Sequence, residues 1–324
     1  MITISKLDEN NQIDTVQDIE IGCWIHLAYP TNEELNRVAR ETKIPKDMLM
    51  VALDPEESAH IDVEEEAKLA VVDMPIIEKE DGVNVFSTSP IGFCFNKGYF
   101  VSVATKESSI IKDILSNRVR NIDPSKKVRF MLQIINRIEF KYLQYLKRMD
   151  KMSLAIQREL ERSVKNKELI ELLDIEKSLV YFSTSLTAND RVLYKIRRSP
   201  DFKKYEEDQD LLEDVITENA QAIEMCSIYR DILSGTMDAY ASVISNNLNI
   251  IMKLLAIFTI TLTVPTVISG LWGMNLEVPF AGTSYGFYLI IAVVIVSTIL
   301  ISGFAVVLSR PGKGSGRRKS RKKK

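Results

Sequence analysis

The chain has 324 residues and 46% of them are apolar, which is enough for one soluble domain of ordinary size and a membrane part. Its three cysteines have no paired spacing, so we expect reduced structural thiols and no disulfide framework. With two histidines and no His/Cys cluster, a zinc site of the usual kind is not expected. The N-terminal residues lack the apolar or Arg-rich stretch of a cleaved presequence.

The net charge of −2 conceals an uneven distribution. Residues 310–324 contain nine Lys or Arg and no acid, so the rest of a chain with net charge −2 carries −11. We expect this basic tail to contact anionic lipid headgroups rather than nucleic acid.

Residues 1–113 predict an α+β domain that mixes short strands with helices. Candidate strands cover residues 19–27, 68–77, 85–96 and 99–105, and candidate helices cover residues 32–42 and 45–53. Thr31 is the expected N-cap of the first helix. Pro75 predicts that its strand lies at a sheet edge or ends there.

Helical periodicity begins after Pro124 and continues along the chain. Apolar residues recur at steps of three and four from Leu132 to Leu160 and again from Leu169 to Ile196, and Ser199-Pro200 ends the second run. Residues 114–203 therefore predict a long antiparallel helical hairpin with its tip at residues 165–167.

A third helix is predicted from Tyr205 to Trp272, with Pro265 as its only proline. A single helix of this length is roughly 100 Å long, too long for a compact globule. Residues 204–253 are the expected cytosolic part of this stalk, and we expect identical stalks to associate along it.

Two uncharged apolar runs, residues 254–272 and 287–308, are each about 20 residues long, the length at which an α-helix crosses the hydrocarbon of a bilayer. Residues 273–286 form the loop between them, with one charged residue, Glu277. Because Lys and Arg beside a span favour the cytoplasmic side, the tail at residues 309–324 places the C-terminus inside, and the hairpin places the N-terminal domain there too.

The stretch Trp272-Gly273-Met274-Asn275, which closes the first of the two spans, resembles the signature of the CorA family of magnesium channels. Residues 211–249 resemble the family's stalk, and the N-terminal domain resembles the family in its order of elements. This resemblance implies a funnel-shaped homo-oligomer, a pentamer, that conducts Mg²⁺ passively across the plasma membrane of a bacterium or archaeon.

One line of polar or small residues runs along the third helix. Its members are three, four or seven positions apart: Asp231, Asp238, Ser242, Ser245, Asn249, Met252, Ala256, Thr259, Thr263, Thr266 and Gly270. Hydroxyls in a membrane helix usually face protein or water, so copies of this line around an axis would line a pore. The alternative is that the threonines bond only to their own helix.

Met252 and Leu255 interrupt the polar row near the inner membrane surface, where rings of apolar side chains can close a pore by dewetting. The resemblance places the family's gate at these positions. Asp238, and with it Asp231, would attract cations at the inner vestibule, although Asp231 has an alternative partner in Arg230 of a neighbouring subunit.

The pore mouth is expected at Gly273, Met274 and Asn275. Mg²⁺ holds its water shell tightly, and the Asn275 amide and the Gly273 carbonyl offer neutral oxygens to those waters. Glu277 would raise the local cation concentration. Gly273 and Asn275 also fit a helix C-cap, and the two roles are compatible.

The resemblance further implies regulatory Mg²⁺ bound between cytosolic domains, which favours the closed channel by linkage. Asp214 matches one acidic position of the family, and Glu78, Glu80 and Asp81 are candidate partners from the next subunit. Each of these three could equally be a solvated surface charge.

The sequence is compatible with three alternatives. A Co²⁺, Ni²⁺ or Zn²⁺ transporter of the same superfamily, including the ZntB type, is disfavoured by Met274 and by a polar line without His or Cys. A non-conducting membrane-anchored scaffold would have no reason to align three threonines. An enzyme or a nucleotide-driven pump is disfavoured because the sequence offers no nucleophile with a base and no phosphate-binding GxxxxGK[ST] loop.

Overall fold

The computed structural model describes residues 1–80, 83–119, 121–162, 166–202, 205–274, 283 and 285–309. Contacts divide the chain into two compact units, Met1–Met237 and Asp238–Lys324. The division predicted at residues 113, 203 and 253 is finer than this and stays a prediction.

The described residues of the first unit form a seven-stranded sheet in the order β2-β1-β3-β7-β6-β5-β4. The strands are β1 (Ile2–Leu7), β2 (Ile13–Val16), β3 (Trp24–Ala28), β4 (His60–Val63), β5 (Lys68–Glu80), β6 (Val83–Phe95) and β7 (Phe100–Ala104). Neighbouring strands are antiparallel except β3 and β7, which are parallel. The predicted α+β class is confirmed.

Long helices follow the sheet, as predicted. The helices are α1 (Asn32–Thr42), α2 (Lys46–Val51), α3 (Ser109–Leu115), α4 (Lys127–Arg162), α5 (Asn166–Arg198), α6 (Glu206–Trp272) and α7 (Gly286–Ser309), with a short 3₁₀ turn at Pro200–Phe202. The hairpin of α4 and α5, the single 67-residue helix α6 and the apolar helix α7 match the sequence predictions. The predicted tip of the hairpin does not match, because residues 166 and 167 are already part of α5, and residue 165 lies outside the described residues.

Helix α1 has the predicted bounds because both of its ends are specified locally. The Thr31 side chain accepts a hydrogen bond from the Glu34 N–H (3.2 Å), and the Glu34 carboxylate accepts one from the Thr31 N–H (2.8 Å). At the other end, Lys43 adopts a left-handed conformation with φ 60°. These are a capping box and an αL stop.

Strand β3 begins at Trp24, five residues later than predicted, because the chain turns first. Gly22 has φ +84°, and the Cys23 N–H donates to the Glu20 carbonyl (3.2 Å). The sequence analysis did not identify the short elements β1, β2, β4 and α3.

The sheet buries its two faces against different helices. Ile25 and Leu27 of β3 lie in one core cluster with Leu35 and Val38 of α1. Trp24, on the opposite face because strand side chains alternate, packs edge-on against Phe130 of α4, with ring centroids 5.1 Å apart. Helices α1 and α4 therefore cover opposite faces of the sheet.

Beyond its first four residues, β5 is an edge strand, because β4 pairs only with Lys68–Val71. Pro75 lies in this part, which confirms the predicted edge position. A side chain takes the place of the missing strand: the Asn189 amide oxygen accepts from the Asp73 N–H (2.8 Å), and its nitrogen donates to the Asp73 carbonyl (2.9 Å). This pair of bonds fixes α5 onto the sheet.

We predict that Asn189→Ala lowers the free energy of unfolding by about 1 to 3 kcal/mol, because Asn189 is fully buried and its loss takes away the acceptor of the Asp73 N–H, while the Asp73 carbonyl keeps the Tyr142 hydroxyl (3.2 Å). Thr187→Ala is the control, since Thr187 is exposed on the same helix and bonds only within it. Unfolding of the purified protein, followed by circular dichroism, measures both. Equal stability of the two variants would contradict the assignment.

Candidate functional site

The second unit contains two helical segments long and apolar enough to cross a membrane, the C-terminal part of α6 and helix α7. Helix α7 has 24 residues, so it is about 36 Å long. A hydrocarbon core of about 30 Å is spanned by such a helix.

One side of α6 faces α7. The Thr261 hydroxyl lies 3.0 Å from the Ser302 hydroxyl of α7. Ile257, Val264 and Ile268, which share the Thr261 side of the helix, are partly buried, whereas residues on other sides are exposed. A hydroxyl pair of this kind gives both polar groups a partner in an apolar setting.

The predicted polar line lies on the other side. Thr263 is two residues from Thr261, which in an α-helix means a rotation of about 200°. The described members of the line in this unit are all exposed in the single chain: Asp238, Ser242, Ser245, Asn249, Met252, Ala256, Thr259, Thr263, Thr266 and Gly270. Leu255, beside Met252, is exposed as well.

The line threonines donate to their own helix, as the alternative interpretation expected. Thr259 donates to the Leu255 carbonyl (2.9 Å), Thr263 to Thr259 (2.7 Å) and Thr266 to Leu262 (2.8 Å). This satisfies the hydrogen of each hydroxyl, but a hydroxyl oxygen also accepts. The line therefore presents oxygen acceptors, which suit the outward-pointing hydrogens of a hydrated cation.

Helix α6 ends at Trp272, and the first two residues of the predicted mouth, Gly273 and Met274, form the turn that follows it. The Gly273 N–H donates to the Ser269 carbonyl (2.9 Å), and the Met274 N–H reaches Leu271 (3.5 Å). A Cβ at position 273 would lie 3.3 Å from the Ser269 oxygen, so glycine permits this close turn. The backbone of Gly273 does not adopt the left-handed conformation that the predicted helix C-cap would have. Asn275 and Glu277 lie outside the described residues.

The acidic stalk residues are exposed on α6. Asp231 is 3.9 Å from Arg230 of its own chain, a loose contact between exposed groups that contributes little. Asp214 has no hydrogen bond or ion pair within the described part of the chain.

Of the predicted partners of Asp214, Glu78 already has a cation. Its carboxylate lies 2.8 Å from the Lys106 ammonium and, through a hydrogen bond and its charge, raises the pKa of that lysine. The pair lines an open cleft of about 740 Å³ that also includes Tyr29, Lys79 and Tyr145. A metal ion at Glu78 would have to displace Lys106.

Glu80 and Asp81 are the other two predicted partners of Asp214. Glu80 is the last residue of β5, where its backbone pairs with Val83, and Asp81 lies outside the described residues. Within a single chain, the described residues bring no three His, Cys, Asp or Glu side chains together as a metal site.

Sequence analysis missed a buried polar layer in which Glu139 of α4 is fully buried. The signal was present, because Glu139 stands four residues after Ile135 and three before Tyr142, on the apolar face of its helix. A glutamate at such a buried position either pairs with a group of opposite charge or is itself protonated and neutral.

The α+β fold and the two apolar C-terminal helices are those of a two-span membrane protein that has a large domain before its spans. The model of one protein family, described as "CorA-like Mg2+ transporter protein", matches residues 20–305. The chain therefore belongs to the CorA-like family.

Two known proteins are similar to this chain in sequence, one over nearly its whole length and one over about a third of it. The cobalt/magnesium transport protein CorA of Methanocaldococcus jannaschii is 26% identical over 323 residues, which is 96% of this chain and 99% of the relative. The putative metal ion transporter YfjQ of Bacillus subtilis is 27% identical over 123 residues, or 37% of this chain and 38% of the relative.

Two solved structures share the fold. The complete CorA magnesium transporter of M. jannaschii has a TM-score of 0.80 at 23% identity and covers 96% of this chain and 98% of its own. The full-length CmaX protein has a TM-score of 0.70 at 14% identity and covers 95% and 96%.

We predict that Thr263→Cys reacts with a water-soluble maleimide in membranes, whereas Thr261→Cys does not, because only the first position lies on the polar line. The background should be low. Burial raises the pKa of Cys94 to about 12 and that of Cys226 to about 11, and it also raises the pKa of Cys23. Equal labelling of the two variants would contradict a water-facing line.

Proposed function

We propose that the protein is a homo-oligomeric channel that passes divalent cations, chiefly Mg²⁺, passively across the plasma membrane. Membership of the CorA-like family and the transport named for its archaeal relative support transport of such ions. Flux would follow the membrane potential, and both termini would lie in the cytoplasm. The subunit number of five rests on the resemblance alone.

The observation that carries this proposal is the row of threonine oxygens on the side of α6 turned away from α7. Mg²⁺ keeps an octahedral shell of waters whose hydrogens point outward. A wall of acceptors can bind those waters without stripping them. Met274, Asn275 and Glu277 would form the mouth, with the Asn275 amide and the Gly273 carbonyl as its neutral oxygens.

Association of several copies is supported by exposed apolar surface on the cytosolic side of the span. Leu248, Ile251, Met252 and Leu255 are each more than half exposed in the single chain. Such a surface requires cover by lipid or by other protein. With several subunits, Met252 and Leu255 would form apolar rings that close the pore by dewetting, and Asp238 and Asp231 would line the vestibule.

Co²⁺ is a second candidate ion, because the archaeal relative is named for cobalt as well as magnesium. Oxygen ligands alone do not discriminate sharply among hydrated dications. The basic tail would hold anionic lipids on the cytoplasmic face.

Regulation by Mg²⁺ between subunits is part of the same proposal. The exposed Asp214 carboxylate has a free coordination sphere within its own described chain, and it would meet a carboxylate of the neighbouring α+β domain. The Glu78–Lys106 pair makes Glu80 and Asp81 better candidates for that partner than Glu78. Metal that bridges closed-state interfaces stabilises the closed state.

We predict that Asn275→Ala reduces Mg²⁺ uptake into proteoliposomes to background while the oligomer remains intact by native mass spectrometry. The matched control is Asn247→Ala, since Asn247 is an exposed asparagine of α6 that lies off the polar line. Normal uptake by Asn275→Ala would show that the mouth is assigned wrongly. Parallel uptake of Co²⁺, Ni²⁺ and Zn²⁺ measures ion preference.

We predict that Asp214→Ala raises the Mg²⁺ concentration needed for protection from limited proteolysis by about tenfold, because one charged ligand is lost. Glu224→Ala, which removes another exposed acid of α6, should leave that concentration unchanged. If Mg²⁺ does not change the proteolysis of the wild type, cytosolic metal sensing is refuted.

A further inference from the structure

A layer of polar side chains crosses the helical core where α4, α5 and α6 meet. It consists of Glu139 on α4, Asn189 and Asp190 on α5, and Glu218 and Asn219 on α6. Glu139, Asn189 and Asn219 are fully buried, and the other two are half-buried. Above and below this layer the same helices pack through apolar side chains such as Leu179 and Leu193.

The layer holds more hydrogen-bond acceptors than donors. Neither carboxyl oxygen of Glu139 has a hydrogen-bond partner among the described residues, and the Asn219 amide oxygen has none either. The Asn219 nitrogen is directed to Asp190 (3.4 Å), and the Asn189 amide is engaged with the Asp73 backbone. Buried acceptors without donors are costly, so these surroundings favour the protonated form of Glu139, whose hydroxyl donates.

In the described part of the chain, the ionisable groups that act on Glu139 are all acids. Asp190 faces it from α5 and Glu218 from α6, and Tyr142 on its own helix is next to Asp73 of β5. Burial raises the pKa of Glu139 to about 8. The Asn189 nitrogen opposes this shift from nearby, although it donates to the Asp73 carbonyl and forms no hydrogen bond of normal geometry with Glu139, and the charges of Glu218 and Asp190 add to the shift. Burial likewise raises the pKa values of Tyr142 and Asp73. No lysine or arginine among the described residues forms an ion pair with Glu139.

We propose that Glu139 is a proton-binding site, occupied in the folded protein at neutral pH, whose ionisation loosens the packing of α4 against α5 and α6. The bound proton makes one carboxyl oxygen of Glu139 a donor among the acceptor oxygens of this layer. When the proton leaves, an uncompensated negative charge remains between two other carboxylates. Since α6 is the helix that continues into the apolar span, cytosolic pH would act on the same element that carries the polar line.

The pH dependence has a defined direction. An unfolded glutamate has a pKa of about 4.3, so between that value and about 8 the folded protein binds one more proton at Glu139 than the unfolded chain. The contribution of Glu139 to stability is therefore fully present below pH 4, declines as pH rises through this window, and levels off above pH 8.

The test compares the melting temperatures of the full-length wild type and Glu139→Gln from pH 5 to pH 9. Glutamine keeps the shape and donates hydrogen bonds but cannot ionise. We expect the melting temperature of the variant relative to wild type to rise by about 3 °C or more across this range. Glu159→Gln, an exposed acid of the same helix, should give a difference that does not change with pH. A constant difference for Glu139→Gln as well would overturn the proposal.

Infrared spectroscopy provides a second measurement that does not depend on the stability of the variant. The wild type should show a protonated carboxyl absorption at pH 7 that disappears with a midpoint near pH 8. Absence of that band at pH 7 would refute the protonated state. A metal ion in place of the proton would also refute it, and would be recognised if a chelator at pH 7 lowered the melting temperature of the wild type but not that of Glu139→Gln.

Discussion

Hydrocarbon provides no hydrogen-bond partners, and this constraint governs the described part of the second unit. Each hydroxyl of α6 in the apolar segment must find a partner in its own helix, in α7, or in something that covers the remaining side. Thr261 uses Ser302 of α7, and the line threonines use carbonyls of the preceding turn. Those bonds use the hydroxyl hydrogens of the line threonines and leave their oxygens free to accept on the side of α6 turned away from α7. The two sides of α6 therefore differ in chemistry, although the segment carries no charge.

The sequence predicts best the elements whose ends or periodicity are determined by residues within the element or next to it. Helix α1 has a capping box at one end and a left-handed residue at the other, and α6 has an uninterrupted helical pattern that stops at Gly273. The four-residue strands β2 and β4 are too short for alternation to be recognised. Their pairing depends on neighbours distant in sequence, and the late start of β3 depends on the backbone conformation of Gly22.

The sequence predicted those site residues that share one side of a helix. It did not predict the contacts between residues of different elements. The polar line from Asn249 to Gly270 follows from the sequence, because positions three and four apart share a side of a helix. The pairing of Glu78 with Lys106 does not, since only the fold brings β5 and the end of β7 together. Glu139 lies between these cases: its place on the apolar face is visible in the sequence, but the acids that face it come from two other helices.

The two hydrogen bonds between the Asn189 side chain and the Asp73 backbone, on the edge part of β5, have a consequence for biosynthesis. Asp73 and Asn189 are 116 residues apart, so a ribosome releases the β5–β6 hairpin well before the helix that shields its open side. During that interval the unshielded strand is a template for intermolecular pairing between nascent chains. We therefore expect aggregation during expression to be most sensitive to delays in translating the segment between these two residues, and chaperone dependence to concentrate in the same interval.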